Sequence, residues 1–398
     1  MSNINNAKLA IINIFLFLIA PILSFITSLR YYKEGVSHFF FICFAFFFGY
    51  QIDCLLDLEM HYNDFISFYP GNNLSQILTN PNIYLIGTEP YHIIFKYVVS
   101  QISTNSHFFA GCAAAIYAIM FLFFFKQYQP FYKRKLVTIQ FLALCGMIFT
   151  VEFYWYFGLR YWTGAFFFLG FYSKYILSGK KKYLYFSFLA CLFHFAHFLL
   201  IAVYIFDLIL QKFKKTKICL LIISFCLRFS SINIYILLNK LPFIKKLIKP
   251  QYLEESLQES LSDKTDYFRE HGNFVYQNRS NVLFITIILL FFLLWKKNKR
   301  IFKNEYSKLI SFIISYLIIV NIGYQDLIFY DRNFKFVIVL SFSYLFLVLS
   351  NKNNLWLNKK PLVIIFFLVI ILFSFATAIV EGRDYLFNPP MWLSFLLI

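Results

Sequence analysis

Long apolar stretches separated by short polar clusters organise this chain. Apolar segments run over 10–29, 36–52, 106–126, 134–152, 160–178, 183–211, 217–238, 281–295, 307–324, 333–350 and 361–380. Several reach 18 residues or more, the length a helix needs to cross roughly 30 Å of hydrocarbon. The pattern predicts an all-α fold, a polytopic transmembrane helical bundle of about 10–12 membrane segments. No internal repeat or Gly/Ser linker interrupts it, so residues 1–398 read as one integral membrane domain.

Composition sharpens this reading. Of 398 residues, 60% are hydrophobic and 14% charged, with a mean hydropathy of +0.65. A soluble domain has nearly twice that charge fraction, so lipid is the expected solvent. The 56 phenylalanines suit lipid-facing helix surfaces. The net charge of +18 comes from clusters between apolar segments, which marks cytoplasmic loops and argues against nucleic acid as a partner. Seven scattered cysteines contain no CxxC, so neither a disulfide framework nor a metal site is indicated. The N-terminus lacks a cleavage signal and reads as a first span.

Basic clusters set the orientation. Arg30 and Lys33, then Lys126, Lys133, Arg134 and Lys135, then Lys180, Lys181 and Lys182 belong inside. The loop 53–105 carries Asp53, Asp57, Glu59, Asp64 and Glu89 against Lys96 alone, which places it outside. A single helix over 183–211 would turn Lys212, Lys214, Lys215, Lys217 and every later basic cluster outward. The segment is therefore expected to enter and return as a broken, re-entrant helix pair bending near His194 and His197. Each half, about 14 residues long, reaches only about 21 Å. Irregular backbone at membrane depth needs a polar cavity to line. The outer face then receives 53–105, Arg160, the histidine bend, the mixed-charge loop 240–280 and Arg332.

Several residues on that face can carry chemistry. Arg160 and Arg332 are expected at helix starts, where guanidinium forks and free backbone amides suit phosphate. The plainer reading pairs them with Glu152 and Asp331. Glu89 precedes Pro90 at the start of a short amphipathic helix, as an N-terminal stabiliser or a general base. His194 and His197 share a helix face, with Cys191 one turn earlier. A polar residue in a membrane segment is costly unless used or paired, so one histidine is expected to face the cavity. Asp53, Asp57, Asp64 and Tyr62 are candidates for sugar hydroxyls or, as a solvated loop, need no further role. His61, His92 and His271 have no special spacing. Walker, GxGxxG, HExxH and GxSxG motifs are absent from any usable context.

In these residues the chain resembles the EpsG family, Wzy-like polymerases of bacterial surface polysaccharides. DLEMHYNDF (57–65) is similar to the family's Asp…Tyr block, carried by Asp57 or Asp53 with Tyr62. TEPYHIIFKYVVS (88–100) resembles its Glu-Pro block, with Tyr91 in place of the usual glycine. The stretch 159–200 resembles its Arg-to-His block, placing Arg160 and His194, with His197 where small residues are common. YDRNFKFV (330–337) resembles its late Arg block.

The resemblance implies a glycosyltransferase of the outer membrane leaflet that joins polyprenyl-diphosphate-linked oligosaccharide repeats into O-antigen, capsule or exopolysaccharide. It assigns Arg160 and Arg332 to the diphosphate, and Glu89 and His194 to base or acceptor-orienting roles. Asp53, Asp57, Tyr62, Tyr91 and His197 are assigned to substrate. No cofactor or metal is expected. The implied location is the bacterial cytoplasmic membrane, with a flippase and a chain-length regulator as possible partners. A flippase for lipid-linked sugars, an O-acyltransferase and a glycan ligase are the competing functions.

Overall fold

The computed structural model describes residues 2–19, 24, 27, 35–51, 57–80, 89–128, 138–151, 160–227, 285, 288, 306–324, 327–350, 365, 368 and 369. Among them the regular structure is helical, with no strand. The helices are α1 (Ser2–Ile19), α2 (Gly35–Gln51), α3 (Asp57–Phe68), α4 (Leu74–Thr79), α5 (Pro90–Ser100), α6 (Ser106–Lys126) and α7 (Thr138–Thr150). There follow α8 (Tyr161–Ser178), α9 (Lys181–Phe188), α10 (Phe198–Gln211), α11 (Lys214–Leu227), α12 (Ser307–Ile322) and α13 (Leu327–Ser350). Asp53, Glu152, the loop 240–280 and most of the segments expected at 281–295 and 361–380 lie outside the described residues.

Among the described residues one helix, Ser106–Lys126, is long and apolar enough to cross a membrane; Lys8–Phe17, His38–Gln51, Phe195–Gln211 and Ser307–Ile322 are shorter apolar helices. Local chemistry fixes the ends of the outer-loop elements. The Asn105 side chain accepts from Phe108 N at 3.0 Å and starts α6. Asn73 and Gln76 form a reciprocal capping box on α4, at 2.9 and 2.8 Å. Pro90 occupies the first position of α5, where its missing N–H costs nothing.

The chain divides into two compact units. The first comprises 1–201, 345–360 and 374–398. Here α2 packs on α6, α6 on α8, α1 on α2, and α3 on α5. A Cβ on Gly49 would lie 2.7 Å from Ala114 Cβ and 2.8 Å from Ala110 O, so only glycine lets α2 approach α6 this closely. Phenylalanines fill the seams between these helices. Phe44, Phe48, Phe109, Phe121, Phe124, Phe125 and Phe166 are all buried, and Phe121 stacks on Phe41 at 5.5 Å between centroids. Helix pairs in lipid gain from close packing, and flat rings fill a wide seam well.

The second unit comprises 202–344 and 361–373. Its α11 packs on α12 around a buried ionic knot. Lys217 Nζ donates to Asp207 Oδ1 at 2.6 Å and to Ser311 O and Oγ at 2.7 Å. Ser311 and Ser315 each donate to Asp207 Oδ1 at 2.8 Å, and Gln211 donates to Oδ2 at 2.7 Å. Lys217 is therefore a buried, paired cation, not a loop charge. Exposed Lys212 and Lys215 carry the basic character of that turn.

Candidate functional site

Two helix starts and a helix break bring ionisable side chains together in the first unit. Glu89 caps α5 with its backbone: its carbonyl accepts from His92 N at 3.0 Å and Ile93 N at 3.3 Å. Its side chain makes no capping bond. Instead Glu89 Oε2 accepts from Arg160 Nη1 at 2.8 Å, with side-chain exposures of 5% and 15%. Glu89 thus stands at the start of α5, as the N-terminal reading expects, and its carboxylate also forms an ion pair spanning 71 residues of sequence. Arg160 occupies the cap position of α8, as expected, and its carbonyl accepts from Gly164 N at 3.0 Å.

The break expected near His194 and His197 is present. After α9 the chain makes two short 3-10 turns, Leu189–Leu192 and Phe195–His197, before α10. Between them His194 is extended (φ −157°, ψ 129°), and its Nδ1 accepts from Ala196 N at 3.0 Å. Gly164 makes room for the break. A Cβ there would lie 2.6 Å from His197 Nε2 and 2.7 Å from Phe193 Cβ. His197 is buried, its Nε2 2.9 Å from the Tyr161 carbonyl, which makes it a donor at that nitrogen. The Tyr91 ring closes the corner against Phe193 at 4.6 Å, tying α5 to the break. The Tyr91 hydroxyl is buried beside Thr163, outside hydrogen-bond geometry, and burial pushes it up from the usual phenol range.

Beneath the Glu89–Arg160 pair lies a second polar layer that the sequence reading left unassembled. Lys96 on α5 is fully buried and pairs with Asp64 on α3. Lys96 Nζ also lies 5.6 Å from the centre of the Tyr69 ring. His61 and His92, both 1% exposed, meet edge to face at 4.5 Å. Burial, then the fields of Arg160, Lys96 and His194, push His61 down to about 2. Burial and the cations Lys96 and Arg160 likewise push His92 well below the usual imidazole value. Both rings are neutral. Burial lowers Lys96 to about 8, opposed by the adjacent Asp64 carboxylate.

A helical signal for this layer exists in the sequence. Asp57, His61 and Asp64 recur at four and three residues, and Glu89, His92 and Lys96 at three and four. Each set marks one face of a short helix. On α5 that face points inward, while Ile94, Val98 and Ile102 are exposed. The helix is thus inside-out relative to one on a water-soluble protein.

Tyr62 donates to the Thr104 carbonyl at 2.9 Å, a contact that holds the 101–105 turn to α3. Asp57 begins α3. Arg332 belongs to the second unit, and since α13 starts at Leu327 it lies in the second turn rather than at the helix start. Asn333 beside it accepts from Tyr316 at 2.6 Å. Among the described residues no group of three or more His, Cys, Asp or Glu side chains is placed to hold a metal ion.

Comparison with known proteins gives one family. The EpsG family profile matches residues 36–389, most of the chain. No curated protein and no solved structure matches significantly.

Proposed function

Because the chain belongs to the EpsG family, a family of membrane proteins linked to Wzy-like polysaccharide polymerisation, we propose that it polymerises lipid-diphosphate-linked oligosaccharide repeats outside the cytoplasmic membrane. The observation that carries this reading is the Glu89–Arg160 pair at 2.8 Å, built from two helix starts beside the helix break.

The pair supports both halves of a glycosyl transfer. The donor diphosphate shares the Arg160 guanidinium, which has forked donors beyond the Nη1 bound to Glu89. As that sharing weakens its hold on Glu89, the carboxylate turns to the acceptor sugar hydroxyl. The hydroxyl oxygen attacks the donor's anomeric carbon and its proton passes to Glu89. The carbon–oxygen bond to diphosphate breaks, and the diphosphate leaves with the electron pair, stabilised by Arg160. His194, at the mouth of the break, orients the acceptor. Tyr91 and His197 shape the walls, and Asp53, Asp57 and Tyr62 are proposed for the sugar approach.

The topology belongs to the same proposal. The charge pattern supports a multi-pass chain with α3 to α5 outside and the Lys212 turn inside. Deleting the gene and sizing the surface glycan tests the function. A polymerase leaves single-repeat glycan at the surface. Lipid-linked repeats trapped inside would identify a flippase, and full-length glycan lacking acyl groups an acyltransferase; either result overturns the proposal.

A further inference from the structure

The described charges around Arg160 cancel. Arg160 is paired with Glu89, and Lys96 with Asp64. The buried Lys96–Asp64 pair and the part-buried Arg160–Glu89 pair sum to zero, so these pairs at rest offer no net positive charge to an anion. A diphosphate entering such a low-dielectric place must be compensated, and a buried uncompensated charge is strongly unfavourable. No cation among the described residues of this cluster lacks a carboxylate partner.

The groups able to change charge are the stacked imidazoles. His92 follows Glu89 by three residues, so it lies one turn below the ion pair on the same face of α5. It packs edge to face on His61 at 4.5 Å. Its Nε2 is buried with no hydrogen-bond partner among the described residues. Around the pair stand Asp64 on α3, Glu89 and Lys96 on α5, Arg160 at α8 and His194 in the break. Three of these, Lys96, Arg160 and His194, act on both rings and disfavour their protonation. Burial is the larger cause of the lowering, and an anion at Arg160 offsets the cations' share of it, which raises the proton affinity of both rings.

We propose that the His61–His92 pair takes up a proton when a diphosphate binds at Arg160, making it a proton-coupled positioning element of the anion site. The inference rests on the diphosphate reading of Arg160. The proton comes from solvent as the donor enters and settles on one imidazole, which becomes an imidazolium one turn below the diphosphate. It returns to solvent when the polyprenyl diphosphate departs, so the pair neither gains nor loses a proton over a cycle. The coupling makes the site positive only when it is occupied.

Linkage sets the sign. Free imidazoles with lowered proton affinity and bound ones with raised affinity give uptake at every pH between the two values, and anion binding weakens as pH rises through that window. For one coupled proton the weakening approaches about tenfold per pH unit.

The test is calorimetric titration of the purified full chain in detergent with inorganic pyrophosphate, in buffers of differing ionisation enthalpy. Wild type is expected to take up more protons than the His61→Gln/His92→Gln variant, the probe's own ionisation being common to both. The variant's affinity is expected to depend less on pH. Equal proton counts at equal affinity overturn the inference and leave the function standing. Wild type binding pyrophosphate with no proton uptake overturns it without recourse to a variant, should the double substitution fail to fold. Pyrophosphate that does not bind wild type at all overturns both the inference and the diphosphate reading.

Discussion

Lys96 is fully buried and Asp64 nearly so, and their pairing decides what each substitution does. Removing one partner of a buried pair strands the other charge, which costs about 3–5 kcal/mol, whereas replacing both with apolar residues is often close to neutral. Lys96→Met and Asp64→Leu alone are therefore expected to lower the melting temperature of the purified protein sharply, and the double variant to recover most of the loss. Single variants as stable as wild type would contradict the pairing. His61 supplies a pH signature. Its folded value, about 2, lies below its ordinary 6.5, so the unfolded chain binds the proton first. Its stabilisation is complete above about pH 6.5 and is lost as pH falls. The melting temperature is expected to drop from about pH 7 to about pH 5, and to drop less in His61→Phe. At Arg160 geometry matters as well as charge. Arg160→Lys keeps the cation but loses the fork that can hold Glu89 and a phosphate together, and one charged hydrogen bond corresponds to about tenfold or more in rate. Polymer synthesis by Arg160→Lys membranes is expected to fall by at least that factor.

Elements bring these residues together, and some elements were easier to read than others. The broken helix was legible because an unbroken 183–211 segment conflicts with the later basic clusters; the structure puts the irregular backbone at His194. The α5 helix was legible from Glu89-Pro90 and its amphipathic run. The α3 helix was not, since DLEMHYNDFISF is too polar to stand out beside spans and too short to announce itself. That is why the stack of His61 on His92 and the Asp64–Lys96 pair escaped: they depend on how α3 packs against α5, which helical spacing within one segment cannot specify. Arg160 and Glu89 were each identified, but their mutual contact was not, because 71 residues separate them. The fit between α8 and the break hangs on Gly164. Gly164→Ala puts a methyl group against His197 Nε2 and Phe193, and overpacking of this kind costs about 1–3 kcal/mol. Loss of polymerisation with retained membrane insertion is the expected outcome, measured as chain length against protein level in isolated membranes. Full activity in Gly164→Ala would show that the break does not shape the site.

For the whole molecule, the hydrophobic pattern foretold the all-helical structure of the described residues, and charge asymmetry predicts which face carries the chemistry. The Asp207–Lys217 knot qualifies that use of charge: a lysine that looks like a loop cation is a buried structural ion here. Orientation is better tested at exposed positions. In a cysteine-free background, Ser75→Cys in the exposed α4 helix is expected to react with a membrane-impermeant thiol reagent in intact cells. Lys212→Cys in the exposed turn after α10 is expected to be protected until the cells are opened. Labelling of Lys212→Cys from outside would reject the re-entrant topology. The most direct test of the central claim, that the Glu89–Arg160 site performs glycosyl transfer, uses purified protein in liposomes with a polyprenyl-diphosphate-linked repeat. Wild type should lengthen the glycan and release one polyprenyl diphosphate for each bond formed, while Arg160→Ala, inserted at the same level, should do neither. Equal chain growth by Arg160→Ala would contradict the account.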